Sequence, residues 1–84
     1  MAIHLEIPDA VAQAMRLPAG EQERRVLVEL AVTLYAQSIL SFGKSRQLSG
    51  LSKFEFGMAL GRRGIPRHYT EEELKDDLEY AGRQ

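Results

Sequence analysis

Cysteine is absent from the 84 residues of this chain, which removes a disulfide framework and any thiolate metal site and fits a reducing compartment. A long apolar run is also missing. The most apolar stretch, residues 26–36, is interrupted by Glu29 and Thr33 and falls well short of the roughly 20 residues a membrane span needs. The opening Met1-Ala2-Ile3-His4-Leu5-Glu6 lacks the basic start and apolar core of a signal peptide. The expectation is a cytoplasmic protein without membrane contact.

Constellations for catalysis are equally scarce. His4 and His68 stand at opposite ends of the chain, and a metal site needs more ligands than they supply. Glu71-Glu72-Glu73 reads as helix capping and solvation rather than paired acid–base chemistry. No glycine-rich phosphate loop follows a strand, since Gly61-Arg62-Arg63-Gly64 ends a helical pattern. The expected protein is not an enzyme and takes no cofactor, metal or small-molecule substrate.

What is present is segregated charge. Residues 1–40 carry three basic and five acidic side chains (net −2), residues 41–69 six basic against Glu55 alone (net +5), and residues 70–84 two basic and six acidic (net −4). The overall −1 hides a basic middle that suits a polyanion and an acidic end that suits another partner. At this length a monomer buries only about 60–65% of its unfolded surface. Such a chain gains by sharing a core with a second copy.

The expected fold is mainly α, a short N-terminal β-strand followed by four to five helices. Ile3, Leu5 and Ile7 alternate with polar or small residues, the period-two signature of a half-buried strand. One strand needs a partner, and the nearest is the same strand of a second copy. Asp9 is the expected N-cap of a short helix through Met15, and Leu17-Pro18-Ala19-Gly20 breaks it. Over residues 21–37, Val26, Leu27, Leu30, Ala31, Leu34 and Tyr35 follow helical spacing, with Val28 and Val32 widening the stripe. So broad an apolar surface points to burial on more than one side, as at a subunit interface. Strand, short helix and long helix in that order resemble the ribbon-helix-helix dimers. The outward strand residues Ala2, His4 and Glu6 supply no Arg or Lys, so this ribbon would serve dimerisation. Residues 1–40 are therefore expected to be a dimerisation region.

Residues 41–69 read as a helix-turn-helix-like region. Ser41 is positioned to cap a helix through Leu48, Gly50 to take the positive φ of a turn, and Ser52-Lys53-Phe54-Glu55 to form a capping box. The second helix stops near Gly64 and Pro66. A first helix that braces a second one, whose N-terminal residues enter the major groove, is a DNA-reading device. Lys44, Arg46, Ser52, Lys53, Arg62, Arg63 and Arg67 are the candidate DNA contacts. Arg46 takes the position where such a first helix usually has a small residue, so its guanidinium is expected to swing outward. Gly57 inside the second helix costs roughly 1 kcal/mol relative to Ala. A hairpin used only for packing is the alternative. Phe54 and Phe56 lie about 200° apart on a helix, which makes Phe56 core and leaves Phe54 for packing, a groove contact or an interface. Thr70 to Glu73 open a last helix with Leu74, Leu78 and Ala81 on one face, and residues 70–84 are the candidate partner-binding tail.

The pattern Leu34-Tyr35, Leu40-Ser41-Phe42-Gly43-Lys44, Leu48-Ser49-Gly50-Leu51-Ser52, Glu55-Phe56, Leu60-Gly61-Arg62-Arg63-Gly64-Ile65-Pro66, Tyr69 and Leu74-Lys75-Asp76-Asp77-Leu78 resembles the small prokaryotic proteins of the UPF0175 family. That resemblance implies an antitoxin of a toxin–antitoxin system. Such a module is a homodimer that binds promoter DNA through its helix-turn-helix, regulates transcription and neutralises a PIN-domain ribonuclease toxin. The chain departs from the family where small residues, usually alanines, flank Lys44 and Leu48. Here they are Ser45, Arg46 and Ser49, and the first helix is correspondingly more polar.

Overall fold

The structure, a computed structural model, describes residues 1–68. Four helices follow one another: α1 (Asp9–Ala14), α2 (Gln22–Ala36), α3 (Phe42–Ser49) and α4 (Lys53–Arg62), with a single 3₁₀ turn (Ala19–Glu21) leading into α2. None of these helices is long and apolar enough to cross a membrane. The acidic helix expected from Thr70, with Leu74, Leu78, Tyr80 and Ala81, lies outside the described residues.

The expected N-terminal strand does not form. No strand occurs among the described residues, and Ile3, Leu5 and Ile7 are 87%, 76% and 41% exposed. The physical reason is the missing ladder. An extended segment is held by cross-strand hydrogen bonds, and the described residues, whose regular elements are all helical, present no sheet edge to it. The ribbon-helix-helix resemblance falls with the strand.

Helix α1 also starts differently from expectation. Pro8 (φ −56°, ψ 145°) is the N-cap, its carbonyl accepting from the amides of Val11 and Ala12 at 3.0 Å. Asp9 sits one residue inside, where its charge faces the positive end of the helix. The helix buries no residue of its own; the Gln22 side-chain amide ties it to α2 by donating to the Ala12 carbonyl at 2.9 Å.

Helix α2 buries Val28, Ala31, Val32 and Tyr35, an i, i+3, i+4, i+7 set. Its other apolar residues, Val26, Leu27, Leu30 and Leu34, are only half-buried. The helix ends in a turn where Ser38 takes φ 60° and the Ile39 amide donates back to the Leu34 carbonyl at 2.9 Å. This is the wrapped C-terminus usually given to glycine.

The three long helices meet at an aromatic cluster. Tyr35, Phe42 and Phe56 are buried almost completely and touch edge to face, with ring centroids 5.9, 6.4 and 5.3 Å apart. Each such pair contributes about 0.5–1.5 kcal/mol beyond its area burial. Leu60 joins them, and Leu48, Leu51 and Ile65 close the edge. After α4, Gly64 at φ 68° turns the chain back, the Ile65 amide reaching the Leu60 carbonyl at 3.0 Å. His68 then stacks on Tyr35 at 4.4 Å and donates its backbone N–H to the Tyr35 hydroxyl at 2.5 Å.

Candidate nucleic-acid interface

The α3–α4 hairpin is built by local chemistry at three points. Ser41 caps α3, its hydroxyl accepting from the Lys44 amide at 3.3 Å. Gly50 closes the helix at φ 75°, where its amide donates to the Arg46 and Gln47 carbonyls at 3.2 and 3.3 Å. At the start of α4, the Glu55 amide donates to the Ser52 hydroxyl and the Ser52 amide to the Glu55 carboxylate, both at 3.1 Å. That reciprocal pair satisfies two amides which would otherwise have no partner in the helix.

Two polar residues of α3, Arg46 and Ser49, brace this turn. Ser49, only 4% exposed, donates to the Arg46 carbonyl at 2.7 Å and accepts from the Leu51 amide at 3.1 Å. Arg46 does not swing outward: its guanidinium reaches across the turn to the Leu51 carbonyl at 3.1 Å. The small residue facing inward is Ser45, with no exposed surface.

Of the candidate contacts, Lys44, Ser52, Lys53, Arg62 and Arg63 are exposed, while Arg46 and Arg67 are half-buried. Ser52 is engaged in the capping box, and Arg46, Arg63 and Arg67 make contacts within the chain. Arg63 bonds the Ala59 carbonyl at 2.9 Å and forms an ion pair with Glu29, and Arg67 lies over the Phe42 ring, 3.7 Å from its centroid. The partner-binding candidates Leu74, Leu78 and Ala81 lie outside the described residues.

Two cations escaped the sequence reading. Arg24 and Arg25 on α2 join Arg62 at the end of α4 and Arg63 just after it around a cleft of ≈ 390 Å³ whose apolar lining includes Val28, Leu51 and Met58. Glu21 and Glu55 are the acidic residues of the same cleft. The only signal available in sequence was the adjacent Arg24-Arg25 pair, and it fell in the segment counted as acidic. Arg24 acts on the cap as well. The Glu55 carboxyl is held below its ordinary value by hydrogen bonds from the Ser52 backbone and side chain, assisted by the nearby Arg24 guanidinium.

The outward face of α4 is apolar. Phe54 is 74% and Met58 42% exposed, and at Gly57 and Gly61 a Cβ would meet nothing within 4 Å beyond the adjacent residues and the helix's own backbone. The opposite face carries the buried Phe56, Ala59 and Leu60. This arrangement is a braced helix presenting a narrow apolar ridge, with Lys53 and Arg62 on its flanks.

The whole-chain comparison agrees with the local pattern. The chain is similar to a UPF0175 protein of Aeropyrum pernix, 49% identical over 79 residues that span 94% of this chain and 84% of that relative. It is likewise similar to UPF0175 proteins of Archaeoglobus fulgidus, 34% identical over 95% of this chain and 90% of the relative, and of Synechocystis, 31% identical over 95% and 85%. No solved structure matches significantly. A profile described as "Uncharacterised protein family (UPF0175)" matches residues 1–83, and the chain belongs to that family.

Proposed function

We propose that this protein is a DNA-binding regulator that reads promoter DNA through α3, the turn at Gly50 and α4. The observation that carries the reading is the hairpin itself: α4 is capped, braced from below by buried aromatics, and flanked by exposed cations from α2, α3 and α4. Lys44, Lys53, Arg62, Arg24 and Arg25 supply phosphate contacts, which position a helix without specifying sequence. In line with the family resemblance, the proposal extends to an antitoxin that forms a homodimer and neutralises a PIN-domain ribonuclease encoded beside it.

A gel-shift titration against the DNA upstream of the gene tests the DNA reading. Binding is expected to weaken steeply with salt, since each neutralised phosphate releases counterions. Replacing Arg62 or Lys53 by Ala should lower affinity for all duplexes alike and reduce the logarithmic salt slope by about 1 each. Equal, weak affinity for every duplex would sink the proposal of sequence reading. Co-purification with the neighbouring ribonuclease, and inhibition of it, test the antitoxin half separately.

A second reading is an interaction module in which the hairpin is only scaffold. It draws support from the exposed apolar residues Ile3, Leu5, Val11 and Ile39. It predicts complex formation with a protein and no preference among duplexes.

A further inference from the structure

We propose that α4 recognises its DNA by apolar contact with thymine methyl groups, made by Phe54 and Met58. This inference rests on the DNA reading above and specifies its chemistry. With about 100° per residue, Phe54, Gly57, Met58 and Gly61 fall within one sector of α4 facing away from the buried Phe56 and Leu60. That sector is what a recognition helix turns toward base edges in the major groove.

The side-chain inventory of the helix then limits what it reads. Adenine is usually recognised by Asn or Gln, and guanine by Arg or Lys. Helix α4, KFEFGMALGR, contains neither Asn nor Gln. Its Glu55 is engaged with the Ser52 amide, and its basic residues Lys53 and Arg62 stand at the two ends. The centre of the sector therefore has no hydrogen-bonding side chain. The base-pair feature that rewards an apolar contact is the C5-methyl of thymine. Gly57 and Gly61, open to space, let the helix backbone come close enough for Phe54 and Met58 to reach groove depth.

Phe54 at 74% and Met58 at 42% exposure share this one sector, and covering them together removes apolar area from water. Charge complementarity favours a duplex over an apolar protein surface as the cover. Lys53 and Arg62 flank the sector, and Met58 and Arg62 continue it into the cleft that holds Arg24 and Arg25.

The test uses the full chain and a duplex recovered by selection from a random pool. Selected duplexes should be rich in A·T pairs, and replacing thymine by deoxyuracil, which removes only the methyl group, should weaken wild-type binding roughly fourfold for each contacted methyl. Phe54→Ala should lose affinity for the thymine duplex and distinguish it less from the uracil duplex, Phe54→Leu should keep more of the distinction, and the Phe54→Ala, Met58→Ala double variant should lose it. Because Phe54 lies outside the core, both single variants should retain the wild-type circular dichroism and melting transition.

Selective binding that is indifferent to uracil substitution would overturn this inference and leave the DNA reading standing. Discrimination that persists in the Phe54→Ala, Met58→Ala double variant would overturn it too, by assigning the methyl contact to other residues. A wild-type protein that selects no duplex, and binds a protein through this face instead, would remove the DNA reading and the inference together.

Discussion

At Ser45 a hydroxyl is enclosed with no exposed surface, and its Oγ has no hydrogen-bond partner among the described residues. A buried polar atom left unmatched costs about 1–3 kcal/mol of desolvation. The neighbouring Ser49 differs, since its hydroxyl both donates and accepts within the turn. The same substitution should therefore have opposite signs at the two positions. Ser45→Ala, which removes the unmatched hydroxyl, is expected to stabilise the fold by about 1 kcal/mol; Ser49→Ala should destabilise it by a similar amount. Chemical denaturation of both variants measures this, and a loss of stability in Ser45→Ala would show that its hydroxyl is bonded.

At the scale of the helix, the signals that proved legible in the sequence were those whose partners lie within a few residues. Ser41, Gly50, the Ser52–Glu55 pair and Gly64 each satisfy or terminate a helix through amides one turn away, so spacing alone locates them. Phe56 in the core followed from periodicity for the same reason. The strand over Ile3 to Ile7 failed because alternation reports a preference for a pleated surface, while the ladder that makes a strand must come from elsewhere. The site was less legible than the fold. That Arg46 bonds Leu51, Arg63 pairs with Glu29 and Arg67 covers Phe42 depends on how the chain folds back on itself. The meeting of Arg24 and Arg25 with Arg62 depends on it too.

The capping box also makes a prediction about acid. Glu55 is held below its ordinary 4.5, first by the Ser52 backbone hydrogen bond, then by the Ser52 side chain, with Arg24 adding to the effect. A carboxyl whose folded-state pKa is depressed stabilises the fold fully above its unfolded pKa, and that contribution is lost as pH falls through the folded value. Helix α4 should therefore be fully capped above pH 4.5 and weaken progressively below it. Glu55→Gln can still accept from the Ser52 amide but has no charge to lose. The stability difference between wild type and Glu55→Gln should be constant from about pH 7 to about pH 5 and shrink below that. A difference that does not change with acid would mean that charge plays no part in the cap.

For the whole molecule, the described core is concentrated in α2, α3 and α4, while the first fourteen residues bury nothing fully. Met1, Ile3, Leu5, Ile7 and Val11 are exposed, and a six-residue helix such as α1 has little stability of its own without a surface to pack on. The outer side of α2 adds an apolar cleft of ≈ 400 Å³ whose lining includes Leu17, Val26 and Leu30, with Arg25 and Glu29 among its polar members. Apolar surface of this kind on a small protein marks an interface, and a second copy brings both the cleft and the apolar segment needed to cover it. Light scattering is expected to give twice the 9.5 kDa of one chain. Leu30→Glu, at a half-buried site outside the aromatic cluster, should shift the mass toward the monomer while leaving the helical circular dichroism in place. Combined with the proposed DNA reading, such a dimer would place two copies of α4 on half-sites one helical turn apart, about 10–10.5 base pairs or a multiple of it. Dissociation by Leu30→Glu should therefore weaken operator binding by more than one added negative charge beside Arg25 accounts for. A protein that remains monomeric at micromolar concentrations and binds a single half-site as tightly as the pair would refute this assembly.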